Sequence, residues 1–296
     1  MKTFVTAIIG ALFVSVAAAA DAPGTPGPQD FRSPDPENLV VIDTTYGRVV
    51  VELAPEFAPE HVKRLKALIR ANFYDGKSFY RVVDGFVAQG GAGEGTAATG
   101  GAAKDAALKQ WPMLKAEFDA PLGNAVFTPL GNADPFAPEV GHIDGFPVAR
   151  DAKAGRMWLV HCPGTFAFAR DNGPDTATTE FYIVIGQAPR RLDRDLTAFG
   201  RVIDGMQYLQ KLNRGDPDID NGVIKDPAKR DAIVRMRVVA DMPEEAQPQL
   251  QVLRTESAAF AQVKEERRNP TSPFYFRKPP PILDICLTPV AVKRVP

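Results

Sequence analysis

Strand-forming runs follow one another along this chain with almost no helix between them, and that pattern removes most fold classes. Residues 39–43 and 49–53 are β-branched runs parted by Thr44-Thr45-Tyr46-Gly47, which reads as a hairpin. Residues 78–83 read as a strand that 85–89 continue. Residues 165–169, 181–186, 197–202 and 233–240 are strand-like as well. Two short helical patterns interrupt them. One opens at Pro59, with Val62, Leu65 and Ile69 on one face and Lys63, Arg64, Lys66 and Arg70 on the other. The second covers 206–212, where Met206, Leu209 and Leu212 share a face. A wound parallel sheet needs a helix between successive strands. The order here predicts an antiparallel all-β barrel or sandwich with two helical caps.

The flanks read differently. Lys2 precedes an apolar run over 4–16, then Ala17 to Ala20, which predicts a signal peptide cleaved after Ala20. The run is shorter than the roughly 20 apolar residues of a spanning helix, and no later stretch is apolar enough. The processed protein is therefore expected in the periplasm or secreted, with no membrane span. Residues 21–38 carry five prolines and read as an extended linker. In 90–103, eleven of fourteen residues are Gly or Ala, so side-chain packing cannot offset the entropy of ordering, and a mobile loop is expected. Residues 111–156 show no sustained period. After Pro243 the composition shifts: 248–268 predicts a helix, and the Pro-rich tail holds Cys286. The expected units are the linker, a domain over 39–240, and a C-terminal extension over 241–296 that packs on it.

Chemistry is constrained by what is scarce. A formal charge of −1 leaves no broad basic footprint for nucleic acid. Two cysteines, Cys162 and Cys286, in an oxidising compartment read as one disulfide, with two unpaired buried thiols as the alternative. Three scattered histidines, His61, His142 and His161, give no metal-ligand spacing. Gly91 to Gly95 lacks the Lys-Ser/Thr ending of a phosphate loop, so neither metal nor cofactor is expected.

Three blocks carry a resemblance. Phe73-Tyr74-Asp75-Gly76 through Phe79-Tyr80-Arg81-Val82 to Phe86, Gln89, Gly90 and Gly91 follows F-Y-D-G-x-x-F-H-R-V-x-x-x-F-x-x-Q-G-G, with Tyr80 where His is usual. Gly164 to Arg170 with Thr179 to Ile183, and Leu192-Asp193 with Phe199-Gly200-Arg201-Val202 and Gly205-Met206, follow in order. Over about 38–240 the chain resembles the cyclophilins, most closely their exported bacterial branch.

That resemblance implies a closed eight-stranded antiparallel barrel with two capping helices, here enlarged by a loop insertion at about 120–160 and the C-terminal extension. It implies a peptidyl-prolyl cis–trans isomerase acting on proline-containing segments of unfolded or folding exported proteins. Such a reaction breaks no bond. It must lower an amide rotation barrier of roughly 18–20 kcal/mol. Twisting localises a lone pair on the prolyl nitrogen, and a fixed cation with directed donors binds that state better than the planar one. The resemblance assigns the cation to Arg81, with Gln89 orienting it and bonding the peptide. It assigns the proline cup to Phe86, Val87, Tyr182 and Leu192, room for the peptide to Ala169, and a backbone contact to Arg170. Glu180, where the family often has Gln, is expected to pair with Arg81 or Arg170. Leu196 replaces a pocket His. Arg191 replaces a Trp and predicts weak binding of the cyclic peptide cyclosporin. These departures leave a second reading open, a catalytically weak peptide-binding or scaffold module.

Overall fold

The structure is a computed structural model that describes residues 25–93 and 108–295. The predicted leader and most of the Gly/Ala segment lie outside them. In chain order the strands are Phe31–Arg32 (β1), Leu39–Thr44 (β2), Gly47–Leu53 (β3), Ser78–Val82 (β4), Val87–Gly91 (β5), Ala120–Pro121 (β6), Thr128–Pro129 (β7), Glu139–Ile143 (β8), Phe146–Asp151 (β9), Arg156–Leu159 (β10), Thr165–Phe168 (β11), Phe181–Val184 (β12), Ala198–Asp204 (β13), Asp231–Val238 (β14), Leu250–Leu253 (β15) and Val292–Arg294 (β16). Helices accompany them at Pro59–Arg70 (α1), Met206–Leu209 (α2) and Ala258–Arg268 (α3).

Eight strands close an antiparallel barrel in the order β11-β12-β5-β4-β14-β2-β3-β13, and β13 pairs back onto β11. The strand-rich order left barrel and sandwich open, and the closed barrel with helical caps is the one the resemblance implied. Alternation sends Ile42, Val51, Phe79, Phe166, Phe181, Ile183 and Met236 inward. There Phe166 stacks on Phe181 at 5.1 Å between ring centres, and Phe168 meets Phe199 edge-on at 4.9 Å. Leu65, Leu68 and Ile69 of α1 pack against this interior.

One strand expectation fails. Val87–Gly91 does not continue Ser78–Val82. The chain reverses at Asp84-Gly85, where Gly85 has a φ of +68° and the Val83 N–H donates to Val87 O at 2.9 Å. The reversal makes β4 and β5 a hairpin.

Layers on the outside explain why β2 and β3 are apolar on both faces. Leu39, Val41 and Val50 point outward and are covered by Val239 and Leu250. The cover continues as a three-stranded sheet, β1-β15-β16. This corrects two readings. Residues 28–38 are not simply an extended linker, since Phe31 and Arg32 pair with Leu253 and Val252. The helix predicted over 248–268 begins only at Ala258, capped by the Ser257 side chain, which accepts from Phe260 N. Leu250 and Leu253 spend their apolar side chains on a strand instead.

Residues 120–159 form a second sheet, β6-β10-β9-β8-β7. Its Ile143, Phe146, Val148, Met157 and Leu159 share one apolar cluster with Val87, Tyr182 and Val184 on the outer barrel face. A third cluster joins this sheet to the tail through Leu130, Val140, Trp158, Leu283 and Ile285. The expected disulfide is present there, between Cys162 and Cys286.

His142 of β8 is buried against the edge of Phe260, its Nε2 donating to Thr288 O at 3.1 Å. Burial, then the nearby Arg201, lowers its pKa from 6.5 to about 3. Above 6.5 folded and unfolded chains are both neutral at this ring. Below it the unfolded chain gains a proton that the folded chain refuses, so stability is lost as pH falls towards 3. Between pH 7.5 and pH 5 the protein should lose about 2 kcal/mol more than a His142→Gln variant. Urea unfolding at the two pH values measures this, and equal losses would remove His142 as the cause.

Candidate active site

The outer face of the barrel places side chains from neighbouring strands in a row. Arg81 on β4 lies opposite Gln89 on β5, Gln89 opposite Tyr182 on β12, and Tyr182 opposite Ala167 on β11. Strand alternation puts all four on one surface.

Arg81 is half-buried and held from two sides. Its Nη1 donates to Gln89 Oε1 at 3.1 Å and its Nε to Asn221 O at 2.8 Å. Burial draws its pKa below the ordinary guanidinium value. Gln89 is fixed in turn, its Nε2 donating to the Tyr80 hydroxyl at 2.6 Å. With the amide nitrogen committed to Tyr80, Oε1 faces Arg81. Burial and the neighbouring Glu180 carboxyl push the Tyr80 phenol above its usual range, so it stays protonated at neutral pH.

The apolar part lies beside this pair. Val87 and Tyr182 are buried in one cluster, with the half-buried Phe86, Ala169 and Leu196 packed against it. Leu192 is half-buried in the turn Arg190–Leu192 and is joined to Leu196 by the Leu196 N–H, which donates to Leu192 O at 3.2 Å. Arg191 points to solvent from the same turn.

Glu180 departs from expectation. It pairs with neither arginine. Its Oε1 accepts from Ala92 N at 2.8 Å and from Thr179 Oγ1 at 3.1 Å, and burial raises its pKa. The carboxyl lies so close over Gly91 that a Cβ there would come within 2.4 Å of it. Arg170 pairs with Asp195 instead, Nη2 to Oδ2 at 2.9 Å.

Several residues of the site went unread in the sequence. Tyr80, marked in the motif only as a departure from His, orients Gln89. Asn221 contributes a backbone oxygen, which no side-chain pattern reveals. His161 and Asp193 support the cup: Asp193 Oδ1 accepts from His161 Nδ1 at 3.0 Å, which leaves Nε2 to accept from the Tyr182 hydroxyl at 2.8 Å. Arg190 then links Asp193, at 2.7 Å, to Asp134 of the inserted segment, at 3.0 Å through both terminal nitrogens. Asp119, immediately before β6, accepts from Arg194 Nη2 at 2.6 Å. The inserted segment is thereby wired to the turn that carries Leu192 and Leu196.

The outer face of the closed barrel thus carries a doubly tethered arginine beside an apolar cluster that the inserted sheet partly covers. Residues 39–238 match the family described as cyclophilin type peptidyl-prolyl cis-trans isomerase/CLD. The chain belongs to this family of enzymes. It is 28% identical over 239 residues to a probable peptidyl-prolyl cis-trans isomerase of Brucella suis, covering 80% of this chain and 96% of that one. It is also 28% identical to peptidyl-prolyl cis-trans isomerase B of Bacillus subtilis, over 57% of this chain and 85% of the relative. The crystal structure of cyclophilin AquaCyp293 from Hirschia baltica superposes with a TM-score of 0.70 at 27% identity, covering 90% of this chain and 95% of that one.

Proposed function

We propose that this isomerase catalyses rotation about X-Pro bonds through Arg81, and that its substrates are folding segments of exported proteins. The observation that carries the catalytic reading is the double tether of Arg81 to Gln89 Oε1 and Asn221 O beside the cup. A proline ring seated among Phe86, Val87, Tyr182, Leu192 and Leu196 brings its nitrogen within reach of the guanidinium. The planar amide offers no lone pair there. The twisted amide does, and a preorganised donor binds it without reorganisation. Arginine suits the role because its rigid fork makes the two tethers and still offers N–H groups outward. Ala169 leaves space for the peptide chain, and the backbone at Arg170 lies along its path.

The inserted sheet packs directly on the cup and holds its turn through Asp134 and Asp119, which supports a role in substrate choice. Exposure of Arg191, where the family has Trp, removes an aromatic wall and supports weak cyclosporin binding.

Exchange spectroscopy on a panel of X-Pro peptides tests the mechanism. Catalysed exchange that disappears in Arg81→Ala while the peptide still shifts on titration is the expected result. Equal exchange in both proteins overturns the role of Arg81. The leader pattern and the disulfide support export. The protein recovered from a periplasmic or secreted fraction should begin at Asp21, and an unprocessed cytoplasmic chain would count against this compartment.

A further inference from the structure

One surface feature lies outside the candidate site. Residues 269–282 leave the end of α3 and return to the body at the buried Leu283, whose N–H donates to Asn132 Oδ1 at 3.1 Å. Both ends of this loop are clamped. Arg268 Nη1 donates across its mouth to Pro281 O at 3.1 Å, and Nη2 to Leu130 O of the inserted segment at 2.6 Å. Five prolines (Pro270, Pro273, Pro279, Pro280 and Pro281) fix φ along it. A turn at Ser272 is closed by Tyr275 N donating to Ser272 O at 3.2 Å.

The stiffened loop presents aromatic side chains to water. Phe274 is 85% exposed and Phe276 97%, while Tyr275 meets Phe274 edge-on at 5.5 Å. Exposed Ile282 lies at the loop's end. Exposed Leu287 is drawn to the same helix end, because Arg267 Nη1 donates to Leu287 O at 2.9 Å. Apolar exposure gathered on one loop in this way marks a contact surface. Its rim is cationic: Lys264, Arg267, Arg268, Arg277 and Lys278 outnumber Glu265, Glu266 and Asp284, in a chain whose total formal charge is −1.

We propose that this loop docks the enzyme on an anionic lipid bilayer. The phenyl rings would enter the boundary between headgroups and acyl chains, with Arg277 and Lys278 beside the phosphates. The charge on the rim selects an anionic occupant. The shape of the tip selects a soft one, since a protruding apolar turn needs a deep complementary cavity in a protein but only displaces lipid in a membrane. The prolines and the Arg268 clamp have already fixed the loop, so little ordering entropy opposes insertion.

The test is sedimentation of the protein with vesicles of phosphatidylglycerol and phosphatidylcholine, against pure phosphatidylcholine vesicles, at low salt. Preferential partition onto the anionic vesicles is expected. It should fall at least tenfold in Phe274→Ser/Phe276→Ser and in Arg277→Glu/Lys278→Glu, with peptide isomerisation unchanged in both as evidence of an intact fold. The indole of a Phe276→Trp variant should shift to the blue on binding. Absence of partition overturns the proposal. Equal partition of the variants and the parent also overturns it, because binding would then lie elsewhere on the chain. An unshifted indole on vesicles that do bind does the same.

Discussion

Arg81→Ala is expected to lower kcat/KM for X-Pro isomerisation about a hundredfold, the scale seen when one preorganised transition-state donor is lost. The fall should appear in kcat. Val87 and Tyr182 stay buried in the cup, and Phe86 still packs on them, so ground-state grip on the proline ring is retained. Alanine leaves Gln89 Oε1 and Asn221 O without their donor, but both lie where water reaches. Arg81→Lys should lose most of the rate as well. A single ammonium cannot bond Gln89 and Asn221 from two separated nitrogens and still face the prolyl nitrogen. Tyr80→Phe probes the same chain one step back. It removes the acceptor for Gln89 Nε2, frees the amide to flip, and should cost about fivefold in kcat, the value of one ordinary hydrogen bond. An Arg81→Lys enzyme with full activity would mean that charge alone suffices and that the fork has no role.

The second large effect concerns stability. Replacing both Cys162 and Cys286 by serine should destabilise the protein by about 4–5 kcal/mol in the chain-entropy account. The closure spans 124 positions, so an unfolded chain without it gains a great deal of freedom. The loss should also be local. Leu283 and Ile285 are buried against Leu130, Val140 and Trp158 next to the bridge, and the tail has no other covalent hold on this face. Denaturant unfolding and limited proteolysis of the double variant measure the two effects. A midpoint that does not move would show that apolar packing alone holds the tail. Intact proteolytic resistance around 283–290 would show the same.

Most strands of the barrel were legible because they carry their own instructions, while their closure into a barrel rather than a sandwich rested on the resemblance. In β2, β3 and β14 the β-branched residues alternate or run together, and 44–47 form an evident turn. Arg81, Phe86 and Gln89 came from the resemblance alone, since the strand pattern had 85–89 continue 78–83; it is the unforeseen hairpin that sets Arg81 opposite Gln89. The inserted sheet was not read, since β6 and β7 have two residues each and prolines sit among its strands. A signal was nonetheless present. Asp144-Gly145 separates Ile143 from Phe146, both turn residues adopt positive φ (48° and 86°), and such a pair is a strong marker of a tight hairpin. The helix predicted from Pro248 failed because Leu250 and Leu253, three apart, fit one helix face; in the strand they point to opposite faces and both are covered, Leu250 by Val41 and Val239 and Leu253 by Phe31. Glu180 misled because opposite charges suggest a pair. Its backbone neighbour Ala92 N, invisible to a side-chain pattern, took that carboxylate.

The bridge between Cys162 and Cys286 has a consequence for the order of assembly. It encloses β11 to β14 in one covalent ring and leaves β2 to β5 outside it. Around the barrel the two sets interleave. The β4–β5 hairpin sits between β12 and β14, and the β2–β3 hairpin between β14 and β13. A chain emerging from its N-terminus therefore makes two hairpins with open edges and no way to close them. Every missing partner belongs to the later half, and the last of them, β14, must slot between hairpins made long before. Closure at such sequence distance is slow. The earliest-made half of this isomerase must wait, edges bare, for the half that its own cross-link will encircle.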